Sequence, residues 1–386
     1  MQFRDLKTQY TVLKNHIDKA ISDVLDDCNF IGGKHVAEFE EQLAEYVGVK
    51  HCISCANGTD ALTLALFAWK IGKNDAVFVP DFTFFSSGES PAGVGAMPIF
   101  VDVNPITYNM DPEKLEEAII QVVKEKRYTP RAVITVDLFG QPADYSKIKP
   151  ICDKYHLLLL EDGAQGFGGR LNGKKACGFG DISTTSFFPA KPLGCYGDGG
   201  AIFTDNDEWA ALIRSFAVHG KSETDKYDNV RIGMNSRLDT VQAAILQVKF
   251  KAFQNYELDA VNQIANWYHE LLKGSNLIIP QVLDGAVSSW AQYTVQLPDE
   301  VDRNCFQIEL KKYGIPTMIY YAKPMHQQKA FAGMKSSYAD CPVTKKLCDC
   351  VLSLPLSPYM EHETIERVAD GIYKSLENIG YKTNRV

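Results

Sequence analysis

The sequence predicts an α/β protein whose core is a central, mostly parallel β-sheet. Short apolar runs that are nearly continuous indicate strands buried on both faces, and helical patterns lie between several of them. The runs are DAVFVPDFTFF (75–85), MPIFVDV (97–103), RAVITVDLF (131–139), HLLLLED (156–162), TTSFFP (184–189) and GGAIFT (199–204). Because strand and helix alternate, we expect these runs to form one sheet covered by helices.

The composition describes a soluble globular chain with room for a large core. Of its 386 residues, 45% are hydrophobic and 23% are charged, which suits a chain of two domains. The net charge of -8 opposes a broad nucleic-acid surface. No stretch approaches the roughly 18 uninterrupted apolar residues of a membrane span. We therefore expect neither nucleic acid nor a membrane as partner.

The ten cysteines indicate a reducing compartment, because the first residues show no export signal. We expect a cytoplasmic protein in which the thiols pack as small apolar groups. Cys52 and Cys55 form a CxxC pair, but no second close pair accompanies it, so we expect no metal site.

Local signals place the elements along the chain. CISCANGTDALTLALFAW (52–69) predicts a strand that runs into an apolar helix. A second helix should begin at Asp111, which is a suitable N-cap, with Pro112 in the first helical position. From Arg237 the pattern is helical over a long stretch, and then the order becomes strand, helix, strand: WAQYTVQL (290–297), RNCFQIELKKYG (303–314), IPTMIYY (315–321). We expect a large domain at 1–250 and a smaller α+β domain at 251–386.

Four groups of residues could carry chemistry, although each also has an ordinary structural explanation. Gly58 and Thr59 open a helix whose N-terminus can bind an anion, or they belong to a plain helix cap. Asp162 ends a buried strand at the edge where open α/β sheets bind ligands, or it caps the next element. Lys191 is the single lysine in the loop of TSFFPAKPLGCYGDGG (185–200). It is either an amine held there for chemistry or an ordinary solvated lysine. Asn235 and Arg237 directly precede a helix. They are either ligand-binding residues or an ordinary helix cap and a surface charge.

Together these groups match the needs of pyridoxal phosphate. The phosphate needs a helix terminus, the aldehyde needs an amine for a Schiff base, and the ring nitrogen needs a carboxylate that keeps it protonated. We therefore expect this cofactor.

The chain resembles the DegT-type nucleotide-sugar aminotransferases, fold-type I pyridoxal phosphate enzymes, over nearly its whole length. The matching motifs are ANGTDAL (56–62), EDGAQ (161–165), SFFPAKPLG (186–194), GDGGAIFT (197–204), HG (219–220) and NSRLDTVQAA (235–244). The resemblance implies a homodimer with shared active sites and an amino group that passes from glutamate to the cofactor, as pyridoxamine phosphate, and then to a nucleotide-linked keto sugar.

The resemblance also implies residue roles. Lys191 would form the Schiff base and shuttle the proton, Asp162 would pair with the ring nitrogen, and Gln165 would reach the ring hydroxyl. Phe84 would lie against the ring, with core packing as its alternative. Ser186 would join Gly58 and Thr59 at the phosphate.

The remaining implied contacts concern the partner subunit and the substrate. Asn235 would reach the phosphate from the neighbouring subunit, and Arg237 is the best candidate for the substrate diphosphate. Tyr320, Tyr321 and His326 would face the substrate, although a structural role explains His326 equally well.

The substrate and the biochemical class have alternatives. The motifs are most similar to aminotransferases that act on UDP-linked 3-keto-glucuronate sugars for surface polysaccharides, with a 4-keto sugar nucleotide (UDP or dTDP) as the alternative. The expected pathway is surface polysaccharide or antibiotic sugar biosynthesis. Tyr320 stands where a substrate-contacting histidine is expected, which weakens the uronate assignment. A regulatory protein that binds the cofactor without turnover is the alternative of another class. A dinucleotide-dependent dehydrogenase is excluded because GFGGR (166–170) lacks the GxGxxG spacing.

Overall fold

The computed structural model describes residues 1–225, 227–334 and 340–384 and shows the predicted α/β architecture. Seven strands form the central sheet in the order β1-β9-β8-β5-β4-β2-β3. Their bounds are β1 His51–Cys55, β2 Asp75–Pro80, β3 Met97–Val101, β4 Thr129–Val136, β5 Leu158–Asp162, β8 Ile182–Ser186 and β9 Gly200–Thr204. All six apolar runs predicted as strands therefore lie in this sheet.

The sheet is parallel except at β9, which pairs antiparallel with both β1 and β8. The pairs β2–β3, β2–β4, β4–β5 and β5–β8 are all parallel. Successive residues of a strand face opposite sides, so Val77 and Val79 pack in one hydrophobic cluster and Phe78 in another. Burial on both faces explains why these strands read as continuous apolar runs.

Helices cover both faces of this sheet and build most of the rest of the chain. They are α1 Leu6–Asp27, α2 Lys34–Val47, α3 Gly58–Ala68, α4 Ser86–Gly93, α5 Pro112–Glu125, α6 Tyr145–Tyr155, α7 Asp207–Phe216, α8 Thr240–Ala252, α9 Leu258–Leu271, α10 Arg303–Lys312, α11 Pro342–Cys350 and α12 His362–Asn378. The cap predicted for α5 is confirmed, because the Asp111 carboxylate accepts hydrogen bonds from the backbone N–H groups of Glu113 and Lys114.

The remaining strands are short. The strands β6 Arg170–Leu171, β7 Lys174–Lys175 and β10 Ala286–Val287 form a small sheet, and β11 Tyr293–Gln296 pairs antiparallel with β12 Val351–Leu354. The domain boundary after residue 250 stays a prediction. Around it, a π-helical turn at 253–257 joins α8 to α9, so the backbone is helical across that point.

One predicted strand is wrong. The segment IPTMIYY (315–321) is not a strand, because only Met318 pairs with β12, in a single bridge to Ser353. Pro316 has no N–H to donate to a ladder, and the ring of Tyr320 packs against the Phe3 ring at 6.2 Å between centroids. The segment therefore contacts β12 at one residue and continues toward the central sheet.

Two further observations bear on the sequence-based expectations. All ten cysteines are free thiols, and eight of them are buried, as expected for residues that pack as small apolar groups. Across the described ranges, each helix is too short or too polar to traverse a lipid bilayer.

Candidate functional site

The predicted site residues gather where strands β1, β5 and β8 end. Asp162 is the last residue of β5, Ser186 is the last residue of β8, and Gly58 begins α3 three residues after β1. The carboxyl edge of parallel strands is where open α/β sheets bind their ligands. The topology therefore brings together residues that are more than 100 positions apart in sequence.

An anion cradle forms at the N-terminus of α3. A Cβ at Gly58 would lie only 2.8 Å from the Ser186 Cβ, so glycine is required for this close approach. The hydroxyl oxygens of Thr59 and Ser86 are 2.6 Å apart. The Asn57 side chain caps the helix by accepting from the Asp60 N–H at 2.8 Å. Hydroxyls beside a helix N-terminus are suited to a phosphate group.

Asp162 is a buried carboxylate with defined partners. One carboxylate oxygen accepts from the Ser87 hydroxyl at 2.9 Å, and the other accepts from the Ala164 N–H at 3.2 Å. Burial raises the pKa of Asp162, while the Ser87 hydrogen bond and the charge of Lys191 oppose that rise. The hydroxyls of Thr83 and Ser87 are 3.1 Å apart, so the chain of donors continues behind the carboxylate.

Lys191 lies in the loop between β8 and β9, and its positive charge lowers the pKa of Asp162 against the rise that burial causes. Burial lowers the pKa of Lys191, and the carboxylate of Asp162 opposes that shift. Its backbone N–H donates to the Phe188 carbonyl at 2.9 Å. A lysine with a lowered pKa has a larger neutral fraction and is a better nucleophile. The ordinary alternative, a solvated surface lysine, does not describe this side chain.

Gln165, Tyr321 and Phe84 form one wall beside the strand ends. The Gln165 amide donates to the Tyr321 hydroxyl at 3.1 Å and accepts from the Phe139 N–H at 2.7 Å. The rings of Tyr321 and Phe84 are 6.3 Å apart between centroids. Phe84 is 55% exposed, so the alternative that it packs in the core is wrong.

His326 is held by a buried carboxylate. The carboxylate of Asp81 accepts from the His326 backbone N–H at 2.8 Å, and its other oxygen lies 2.6 Å from the ring Nδ1. The Cys341 thiol is also close, since possible ligand atoms of these three residues lie within 4.8 Å of one another. These contacts tie the segment around His326 to the end of β2.

The pair Asn235 and Arg237 lies on the surface of the chain. Both side chains are exposed, and the guanidinium of Arg237 donates to the side-chain oxygen of Asn235 at 2.8 Å. Between them, the Ser236 hydroxyl accepts from the Ala56 N–H at 3.0 Å. The pair therefore flanks the turn that leads to the anion cradle.

Sequence reasoning missed Ser86 and Ser87. Both lie in the first turn of α4, directly after the strand-end segment PDFTFF, and their side chains contact Thr59 and Asp162 respectively. The only signal was a pair of serines after an apolar run, which by itself predicts a helix start.

The assembled groups provide an anion cradle, a buried carboxylate and an amine of lowered pKa at one edge of the sheet. This set can hold a phosphorylated cofactor, keep a heterocyclic nitrogen protonated and form a bond to an aldehyde carbon.

Known proteins with similar sequences agree with this chemical interpretation of the site. The profile of the DegT/DnrJ/EryC1/StrS aminotransferase family matches residues 11–373. A UDP-2-acetamido-2-deoxy-3-oxo-D-glucuronate aminotransferase of Pseudomonas aeruginosa is 43% identical over 368 residues, 95% of this chain and 98% of the relative. A pleiotropic regulatory protein of Geobacillus stearothermophilus is 38% identical over 371 residues, 95% and 96% of the two chains.

The fold matches a solved structure over its full length. The crystal structure of a DegT DnrJ EryC1 StrS aminotransferase from Brucella abortus superposes with a TM-score of 0.93 at 45% sequence identity, and the match covers 99% of this chain and 100% of that one.

Proposed function

This chain belongs to the DegT/DnrJ/EryC1/StrS aminotransferase family, and we propose that it transfers an amino group from glutamate to a nucleotide-linked keto sugar with the help of pyridoxal 5'-phosphate. The observation that carries the proposal is the pairing of Lys191 and Asp162. A partly buried amine and a buried carboxylate lie near enough for their charges to interact, at the sheet edge that also holds the anion cradle.

The residues at the strand ends fit this cofactor. Gly58 leaves room that a Cβ would fill, and the hydroxyls of Thr59, Ser86 and Ser186 surround the same turn, so these residues would hold the phosphate. When bound, the cofactor supplies an aldehyde for amine exchange and a protonated ring that accepts electrons.

The remaining site residues then have defined tasks. The Lys191 amine would hold the cofactor through its aldehyde, and it would carry the proton to and from the substrate carbon. The hydrogen bonds that Ser87 and Ala164 donate to Asp162 favour its ionised form, which would keep the ring nitrogen protonated. The Gln165 amide would reach a ring hydroxyl, and the exposed ring of Phe84 would stack on the cofactor.

A UDP-linked 3-keto sugar is the substrate that we favour, for use in surface polysaccharide synthesis. The relative from Pseudomonas aeruginosa carries that specificity in its name. We assign Arg237 to the diphosphate, and Tyr320 and Tyr321 to the sugar. The contacts of His326 with Asp81 favour its structural alternative over a substrate contact. A 4-keto sugar nucleotide, UDP- or dTDP-linked, is the second candidate.

We also propose that the working unit is a homodimer with shared sites. Ile232 is 93% exposed and Phe188 is 53% exposed, and both flank segments of the site. Such apolar side chains are covered when a second copy docks, and the exposed pair Asn235 and Arg237 would then reach the partner's cofactor phosphate and substrate. The reaction would take place in the cytoplasm, where the ten free thiols stay reduced.

A regulatory role without turnover is the second candidate function, because the Geobacillus stearothermophilus relative is named a regulatory protein. The two functions differ in their response to an amino donor. An aminotransferase mixed with glutamate releases one equivalent of 2-oxoglutarate per cofactor, whereas a pure sensor releases none.

The test is that assay with the wild-type protein and with Lys191→Ala. We expect release of 2-oxoglutarate only from the wild type, followed by turnover when UDP- and dTDP-linked 3-keto and 4-keto sugars are added in parallel. Lys251→Ala is the matched control, because Lys251 is an exposed lysine on α8. Transamination by Lys191→Ala would refute the assignment of the loop.

A further inference from the structure

Three charged side chains lie beside the Lys191 loop, two of them buried and the third, Arg4, half-buried, and the proposed reaction assigns them no role. Lys249 of α8 is 1% exposed and Glu257 is 3% exposed. The guanidinium of Arg4, which precedes α1, has an Nη1 atom that is buried without a hydrogen-bond partner in the described ranges. Burying charges costs free energy unless their interactions offset the loss of water.

Both cations bind backbone carbonyls of that loop. The Lys249 ammonium donates to the Gly194 carbonyl, and Arg4 Nη2 donates to the Lys191 carbonyl at 3.3 Å. The Lys249 nitrogen also lies 5.0 Å from the centroid of the Tyr196 ring. The stretch 191–194 is therefore held at both ends, by a side chain of the segment before α1 and by a side chain of α8.

Glu257 provides the counter-charge, and it acts on both cations. Its carboxylate is fixed by the Gln9 amide at 2.8 Å and by the Tyr359 hydroxyl. The cluster thus holds two cationic side chains and one anionic side chain, whose charge favours the charged form of both cations. Burial lowers the pKa of Lys249 from 10.5 to about 8, which shows that its charged form is costly at this place.

The segment before α1 also connects this cluster to the residues that follow β12. The Phe3 carbonyl accepts from the Leu356 N–H at 3.1 Å, and the Phe3 ring packs on Tyr320. The residue that binds the Lys191 carbonyl is the next one in the chain. Arg4 is thus anchored on one side by the segment that carries the substrate-facing tyrosines.

We propose that Arg4 and Lys249 are positioning residues for Lys191: they hold the carbonyls of Lys191 and Gly194 and so fix the loop from which the amine reaches the cofactor. This inference rests on the proposed role of Lys191. Its hallmark is a variant that keeps its stability but loses loop order, because removal of one cation leaves the charge of the other still opposed by Glu257.

The experiment compares Lys249→Met and Arg4→Met with the control variants Lys251→Met and Lys7→Met, which remove exposed lysines close by in sequence. Two measurements are made on the apoprotein: hydrogen exchange of peptides that cover 187–199, and the rate of covalent capture of added pyridoxal phosphate by absorbance. Thermal midpoints are recorded for each variant.

In both test variants we expect faster hydrogen exchange in 187–199 and unchanged thermal midpoints. Capture of pyridoxal phosphate should be about 10- to 100-fold slower, which corresponds to the loss of one hydrogen bond from a charged donor. Arg4→Lys should recover part of the rate. Exchange and capture equal to those of the controls would overturn the proposal. So would failure of both test variants to fold, since the cluster would then be a stability element. Normal capture by Lys191→Ala would instead refute the proposed function itself.

Discussion

Replacement of Ser87 by alanine tests how the protein keeps a buried carboxylate ionised. Ser87 is completely buried, and its hydroxyl donates to Asp162 at 2.9 Å. A hydrogen bond to a charged group contributes about 1.5–3 kcal/mol, and one pKa unit corresponds to about 1.4 kcal/mol. We therefore expect Ser87→Ala to raise the pKa of Asp162 by about 1–2 units beyond the rise that burial already causes.

The assay is a pH titration of the apoprotein labelled with ¹³C at the aspartate carboxyl carbons. Asp162→Asn identifies the resonance of interest. Ser90→Ala is the matched control, because Ser90 is a buried serine of α4 whose hydroxyl donates to the Ser86 carbonyl at 2.9 Å. In the loaded enzyme, the acidic limb of the kcat profile should move to higher pH by the same amount, since a protonated carboxyl cannot hold the ring nitrogen charged.

The result that would refute this reasoning is a titration of Asp162 in Ser87→Ala that matches the titration in Ser90→Ala. It would mean that the Ala164 N–H and the charge of Lys191 suffice to keep the carboxylate ionised. Ser87 would then be a packing residue of α4.

Three further predictions address other parts of the site. Asp162→Asn should lower kcat by orders of magnitude. Because burial raises the pKa of Asp162, the ionised carboxylate lowers the stability of the apoprotein at a pH above this raised pKa. Apo Asp162→Asn should therefore melt at a higher temperature than the wild type at pH 7, and equal thermal midpoints would contradict this. When homodimers of Lys191→Ala are mixed with homodimers of Asn235→Ala, activity should return after subunit exchange. About half of the dimers in a random mixture are then heterodimers, and each heterodimer has one intact shared site. No recovery after confirmed exchange would place the site within one chain. His326→Ala should lower the free energy of unfolding by about 1–3 kcal/mol, since it deprives the buried Asp81 of a donor, with KM for the sugar nucleotide unchanged; a raised KM at full stability would restore His326 as a substrate contact.

The strands and caps are predictable because their causes are local. The run HLLLLED became β5 since a strand covered on both faces needs apolar residues at every position. Asp111 caps α5 through bonds to residues two and three positions ahead. The segment 315–321 also reads as a strand, but Pro316 and the ring contact of Tyr320 with Phe3 override that pattern.

The site residues divide in the same way. Lys191, Asp162 and Gly58 lie in motifs that a family resemblance identifies from neighbouring letters alone. By contrast, nothing near Ser87 in the sequence indicates that its hydroxyl reaches Asp162, 75 residues away.

The cluster behind the loop shows the limit most clearly. Arg4 contacts the Lys191 carbonyl across 187 residues, and Lys249 reads in the sequence as an ordinary helical lysine. The sequence alone determined the α/β class, the sheet strands and the cofactor motifs, because periodicity and capping act within a few residues. Only the tertiary structure decided which hydroxyls and cations surround Asp162 and Lys191, because those contacts depend on how strands distant in sequence are ordered in the sheet.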